Sequence, residues 1–218
     1  MYRHSHQSDV HAWMCTAYHE AGHAVAALLL GRDLYLVEVT DRWEGLTWHE
    51  GRSGHIAELV ELANEEGRVR MGLLRFWLDE FWIADAGVIA EEEFNLVPPD
   101  VLARGGQNDA MSKYDLIEDF DEEAFITAYY YRQVEPWMTR ITKACRTFFR
   151  LPNVAALTRT LAEALLRSRR LHGEEVIDAV LSNRAAVTGQ RDLFWEPEGD
   201  DLFVRKMIPH VPQQYRLL

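Results

Sequence analysis

From Ala12 to Leu30 the run AWMCTAYHEAGHAVAALLL is apolar or small at nearly every position, which predicts a helix with little solvent-facing surface. Ser8 or Asp9 supplies a capping oxygen near its start, the end before them reading as disordered, and Gly31 supplies the left-handed stop after Leu30. LYLVEV, residues 34–39, then alternates apolar and polar side chains and reads as a strand. GLTWH, residues 45–49, reads as its antiparallel partner after a turn through Asp41 to Glu44. Helical period returns over 56–67, over 70–94 as one helix or two, and over 108–120, 122–149, 152–171 and 173–182. Between these, NLVPPDVLARGGQ carries Pro98, Pro99, Gly105 and Gly106 and reads as a loop. From Arg184 the pattern changes to DLFW and LFVRKMI around EPEGDD, a hairpin or extended arm. The expected fold is mainly α, of the α+β kind: a helical domain over residues 1–183 with a small sheet beside the first helix, and an extension over 184–218.

Composition narrows the functions. The 218 residues suffice for one sizeable core, and a net charge of −12 argues against a general grip on nucleic acid. No apolar run approaches the roughly 20 residues that a bilayer span needs, and MYRHSHQSDVHAW has no signal-peptide core. Two cysteines, Cys15 and Cys145, make no disulfide framework. A reduced, cytoplasmic setting is the expectation.

The chemistry lies in TAYHEAGHAVAALLLG, residues 16–31, where His19, Glu20 and His23 interrupt the apolar helix. Polar groups in such a neighbourhood need partners. Residues four apart share a helix face, so His19 and His23 can present imidazole nitrogens to one ion while Glu20 lies beside its open position. Zinc takes such ligands tetrahedrally and keeps a water where the protein supplies three. The small residues Ala21, Gly22 and Ala24 permit close approach of a neighbouring helix. A third ligand is required, and the spacing alone does not name it.

The same segment resembles the active-site helix of the peptidase domain of FtsH-type ATP-dependent zinc metalloproteases. Further blocks are similar in the same order: GLTW (45–48) to that family's strand after the zinc helix, and AGVIAEEEF (86–94) to its Gly-Gly-Arg-x-Ala-Glu-Glu helix. GGQNDAMSKYDLI (105–117) resembles its Gly-Ala-x-Asn-Asp segment, and LAEALLRSRRLHGEEVIDAVL (161–181) its closing helix pair. The resemblance implies a zinc metallopeptidase with His19, His23 and Asp109 as ligands and Glu20 as general base. Taken without it, Asp109 reads as a helix N-terminal residue meeting the dipole. Glu91 is the rival for the third ligand, with a supporting role as acceptor from a ligand histidine preferred; Glu92 and Glu93 read as solvated. Val88 stands where the family usually has arginine, and the turn 41–44 is shorter than the family's loop.

Gly45, Leu46, Thr47 and Trp48 form the candidate substrate strand, whose edge suits an extended peptide paired by backbone hydrogen bonds. His49 and His55 flank it without an assigned role, Cys15 reads as a small core residue, and Phe76, Trp77, Phe81 and Trp82 read as core. No Gly-rich Lys-Ser/Thr loop is present, so direct ATP binding is not expected. The favoured function is therefore Zn2+-dependent hydrolysis of peptide bonds in proteins or unfolded polypeptides, by a stand-alone domain or homo-oligomer. The alternatives are a peptidase-like scaffold that cleaves little, and a peptidase subunit recruited to a separate ATPase.

Overall fold

A computed structural model describes residues 3–30, 32–41, 44–49, 69–94, 96, 139 and 141–182. Helix α1 spans Arg3–Leu29, strands β1 and β2 span Leu34–Asp41 and Glu44–His49, and α2 spans Val69–Glu93. Residues 141–149 form α3, followed by α4 (Pro152–Ser168), β3 (Arg170–His172) and α5 (Gly173–Ser182). The expected helices at 56–67 and 108–120, the loop at 95–107 apart from Leu96, residues 122–138 of the expected helix at 122–149 and the tail from Arg184 lie outside the described residues.

Helix α1 is the centre of the molecule. It packs against α2, α4, β1 and β2, which is why its sequence lacks a polar face. Ala17, Ala21, Ala24 and Ala27 are fully buried, and their small side chains let the neighbouring elements close on the helix backbone. The helix begins at Arg3, five or six residues before the capping signal and through the end read as disordered. It ends where the Arg32 N–H donates to the Ala27 carbonyl at 2.9 Å. The buried Arg32 guanidinium then faces Asp79 at 3.8 Å and Glu80 at 3.7 Å, tying the end of α1 to α2.

The expected hairpin is present. β1 pairs antiparallel with β2, with Val37 opposite Thr47 and Val39 opposite Gly45, and irregularities between Leu34 and Leu36 and between Val39 and Asp41. Val37 and Val39 are buried, whereas Leu46 and Trp48 are exposed, so the alternation along the strands separates a helix-facing side from an outer one.

A third strand was not expected. The sequence reads as helix through Leu171, yet α4 stops at Ser168 and β3 adds to the other edge of β1, giving the order β2-β1-β3. The turn is made by Arg169, which adopts a left-handed φ of 65° while its N–H donates to the Leu165 carbonyl. Its guanidinium lies 3.3 Å from the centroid of the Trp13 ring, which compensates a conformation that a non-glycine residue rarely takes. The Arg169 carbonyl accepts from the Val39 N–H, and Arg170 pairs with Glu38. The helical propensity of LLRSRR is overridden by an unpaired strand edge waiting nearby. α5 follows as expected, with the His172 N–H donating to Glu175.

α2 is one continuous helix. Over its last four turns Phe81, Trp82, Ile83, Ala86, Ile89 and Ala90 are buried, so Phe81 and Trp82, two of the four aromatic residues assigned to core, lie there. Thr142 of α3 donates to the buried Asp85 carboxylate at 2.6 Å. Glu92 and Glu93, expected to be solvated, remain partly exposed and also accept from Arg146 of α3 and from Arg150 just after it. Both carboxylates receive a guanidinium fork, so the C-terminal turn of α2 is braced from outside while Glu91 turns inward.

Candidate metal centre

His19 and His23 project from α1 towards α2, one turn apart. Their Nε2 atoms lie 3.0 Å from each other. Each ring is oriented through its other nitrogen by an acceptor on α2. His19 Nδ1 meets Glu91 Oε1 at 2.5 Å, and His23 Nδ1 meets the Ile83 carbonyl oxygen at 2.6 Å. A carbonyl can only accept, so His23 carries its proton on Nδ1, and the Glu91 carboxylate asks the same of His19. In the neutral rings both Nε2 atoms are then acceptors, and they converge on a single point.

Glu20 is held from the opposite side. It is buried, and its Oε2 accepts from Thr47 Oγ1 at 2.7 Å, while the same hydroxyl lies 3.1 Å from the Glu20 backbone carbonyl. The Glu20 carboxylate packs against Gly45, where an added Cβ would come within 2.5 Å of its Cγ. β2 is thus pressed onto the carboxylate through its helix-facing residues. Leu46 and Trp48 leave from the other face, Trp48 stacked edge-on with Tyr35 at a centroid distance of 5.3 Å. Of the four residues in the candidate substrate strand, two therefore contact Glu20 and two face outward.

The donor set suits a divalent zinc in part. Two imidazole nitrogens about 2.0–2.1 Å from a tetrahedral zinc stand about 3.3 Å apart, within a few tenths of the spacing here. Two facing lone pairs with both Nδ1 protons committed elsewhere call for a positive charge between them. Among the described residues, no group of three or more His, Cys, Asp and Glu side chains is assembled around one point. Asp109, the expected third ligand, and His55 lie outside the described residues. Glu91 is engaged with the Nδ1 side of His19, away from the Nε2 pair.

The sequence reading did not anticipate the Ile83 carbonyl, the Thr47 hydroxyl on Glu20, or the arginine forks. A backbone acceptor leaves no mark in sequence. Thr47 carried a signal only as the middle of a strand predicted to alternate.

One turn before His19, Cys15 is fully buried and its thiol faces the Leu96 carbonyl at 3.6 Å. Burial and the nearby Glu91 charge push its pKa up to about 12. Alkylation requires the thiolate, so iodoacetamide should label neither Cys15 nor the equally buried Cys145 in the folded protein at pH 8, and both after denaturation. Labelling of Cys15 without unfolding would contradict this packing. In the unfolded chain Cys15 titrates at its ordinary value near 9, so the folded state holds the extra proton between there and about 12. Stability should accordingly fall as pH rises through that range.

A family model described as Peptidase M50B-like matches residues 1–63, which include α1, β1 and β2 with His19, Glu20 and His23. A search of curated proteins finds no relative of the chain. The match supports a metallopeptidase in general. It stops before Glu91 and Asp109, and its family is a different one from the FtsH type that the string of motifs resembles. No helix among the described residues is long and apolar enough to cross a membrane.

Proposed function

We propose that this chain is a zinc-dependent metalloendopeptidase acting on extended or unfolded polypeptide. The observation that carries the reading is the pair of facing His19 and His23 Nε2 atoms, each ring fixed through Nδ1, with the buried Glu20 on the same turn of α1. Metallopeptidase activity in general is also supported by the family match over residues 1–63.

In this reading His19 and His23 hold the metal with Asp109 as third ligand, an assignment that rests on the resemblance to the FtsH type. Zinc, when bound, supplies Lewis-acid chemistry, acidifying water and polarising a carbonyl. The chain's own residues do the rest. Glu91 and the Ile83 carbonyl keep both Nδ1 protons in place and so keep Nε2 unprotonated. Glu20 takes the proton from the attacking water and delivers it to the departing amine. Thr47 and Gly45 confine the Glu20 carboxylate, so its oxygens are positioned before substrate arrives. The edge of β2 away from β1, which no strand among the described residues covers, receives the substrate backbone as an added strand, a mode that tolerates varied sequences.

The test is metal dependence. Protein purified without chelator should contain about one zinc per chain and hydrolyse unfolded casein; removing zinc should abolish cleavage, and adding it back should restore it. A preparation free of transition metal that takes up none would end the proposal. Cleavage that survives complete removal of zinc would do the same.

A further inference from the structure

We propose that Gly87 keeps the space between the two imidazoles open for the cation, so that adding one methyl group there excludes the metal while leaving the fold in place. The inference rests on the zinc reading above and concerns a residue that is neither a ligand nor the base.

Gly87 is buried in the interior of α2, where glycine is unfavourable relative to alanine and needs a reason. A Cβ built on it would have three imidazole atoms as its nearest neighbours: His23 Nε2 at 2.5 Å, His19 Nε2 at 2.6 Å and His19 Cδ2 at 2.8 Å. That point is almost equidistant from the two nitrogens, themselves 3.0 Å apart, so an added carbon would strike the ligating atoms of both rings at once. Carbon does not approach nitrogen so closely, so a methyl group would push both Nε2 atoms off the positions from which they can share a cation.

The other glycine at this helix contact behaves differently. A Cβ on Gly22 would meet the Ala86 carbonyl oxygen at 2.5 Å and the Ala90 Cβ at 2.8 Å, atoms of the packed helix itself. Gly22 is therefore required for α1 and α2 to touch, whereas Gly87 stands against side-chain tips that can turn aside. The distinction separates a packing glycine from one that reserves volume. It also gives the small pair Ala86–Gly87 two roles: Ala86 offers its backbone to Gly22, and Gly87 offers bare backbone to the histidines.

The experiment compares full-length wild type and Gly87→Ala by equilibrium dialysis against zinc and by thermal melting with chelator or with zinc. A His19→Ala/His23→Ala background, with and without Gly87→Ala, is melted in parallel. Gly87→Ala is expected to fold, to bind zinc at least about 100-fold more weakly than wild type, and to lose the rise in Tm that zinc gives the wild type. In the background lacking both imidazoles the same change should leave Tm equal or higher, because the atoms it strikes are gone. Zinc binding by Gly87→Ala equal to wild type would overturn the proposal. So would an equal loss of Tm with and without the histidines, since the methyl group would then be meeting something else. Wild-type protein that takes up no zinc would sink the parent reading and this one together.

Discussion

Glu20→Gln protein is expected to bind zinc with wild-type stoichiometry and to hydrolyse unfolded casein about 100- to 10,000-fold more slowly. Glutamine has the shape of glutamate, and its amide oxygen can still accept from Thr47 Oγ1, which meets Glu20 Oε2 at 2.7 Å in the wild type. The tight fit of Gly45 against the side chain is likewise preserved, because the substitution adds no heavy atom. What disappears is the ability to take a proton. His19 and His23 keep their Nδ1 acceptors on α2, neither of which involves Glu20, so metal uptake has no reason to change. Casein cleavage at matched zinc content, with metal measured on the same samples, separates the two functions. Wild-type turnover by the zinc-loaded variant would remove Glu20 from the role of base.

Gly22→Ala should cost the fold a measurable loss of stability from one added methyl group. The new Cβ would sit 2.5 Å from the Ala86 carbonyl oxygen and 3.0 Å from its carbon, both backbone atoms of a packed helix that no rotamer change can move. α1 and α2 must separate, and the contact they share carries Ala21, Ala86 and Ala90, all fully buried. Overpacking of this kind costs about 1–3 kcal/mol, and the gain of roughly 1 kcal/mol in helix propensity offsets only part of a larger backbone displacement. A net loss of about 1–2 kcal/mol is expected, a fall in Tm of about 2–8 °C for a chain of this size. Chemical denaturation in chelator measures it without the contribution of metal. Because the separation also draws Ile83 and Glu91 away from the histidines, zinc affinity should fall with it. Gly22→Ala protein as stable as wild type would show that the helices do not touch as described.

These two residues mark how far the sequence could be read. Glu20 was assigned from the four-residue spacing of His19 and His23 around it, a local feature that any helix would impose. Gly22 was read as a site of close approach, which it is, though the partner atom could not be named. The strand pair and the closing helix were legible for the same reason: alternation over residues 34–39 and 45–49, and helical period over 173–182, are local patterns.

Where the reading failed, distant contacts had decided the outcome. LLRSRR favours helix locally, yet Arg169 leaves it because β1 offers an open edge and Trp13 offers a ring for the guanidinium. Glu92 and Glu93 stay partly exposed, as read, but their partners Arg146 and Arg150 are supplied by the position of α3 and leave no mark near them in sequence.

The sequence by itself determined that α1 would be a buried helix carrying His19, Glu20 and His23 on neighbouring positions, because helical geometry follows from spacing alone. Tertiary structure decided which nitrogen of each ring faces its partner, through acceptors 72 and 60 residues away, and which side of Glu20 is closed by β2. It also decided that Gly87, one small residue among several, is the one aimed at the histidine pair. Those choices depend on how helices and sheet dock, and docking is the sum of many contacts between residues that no short stretch of chain contains.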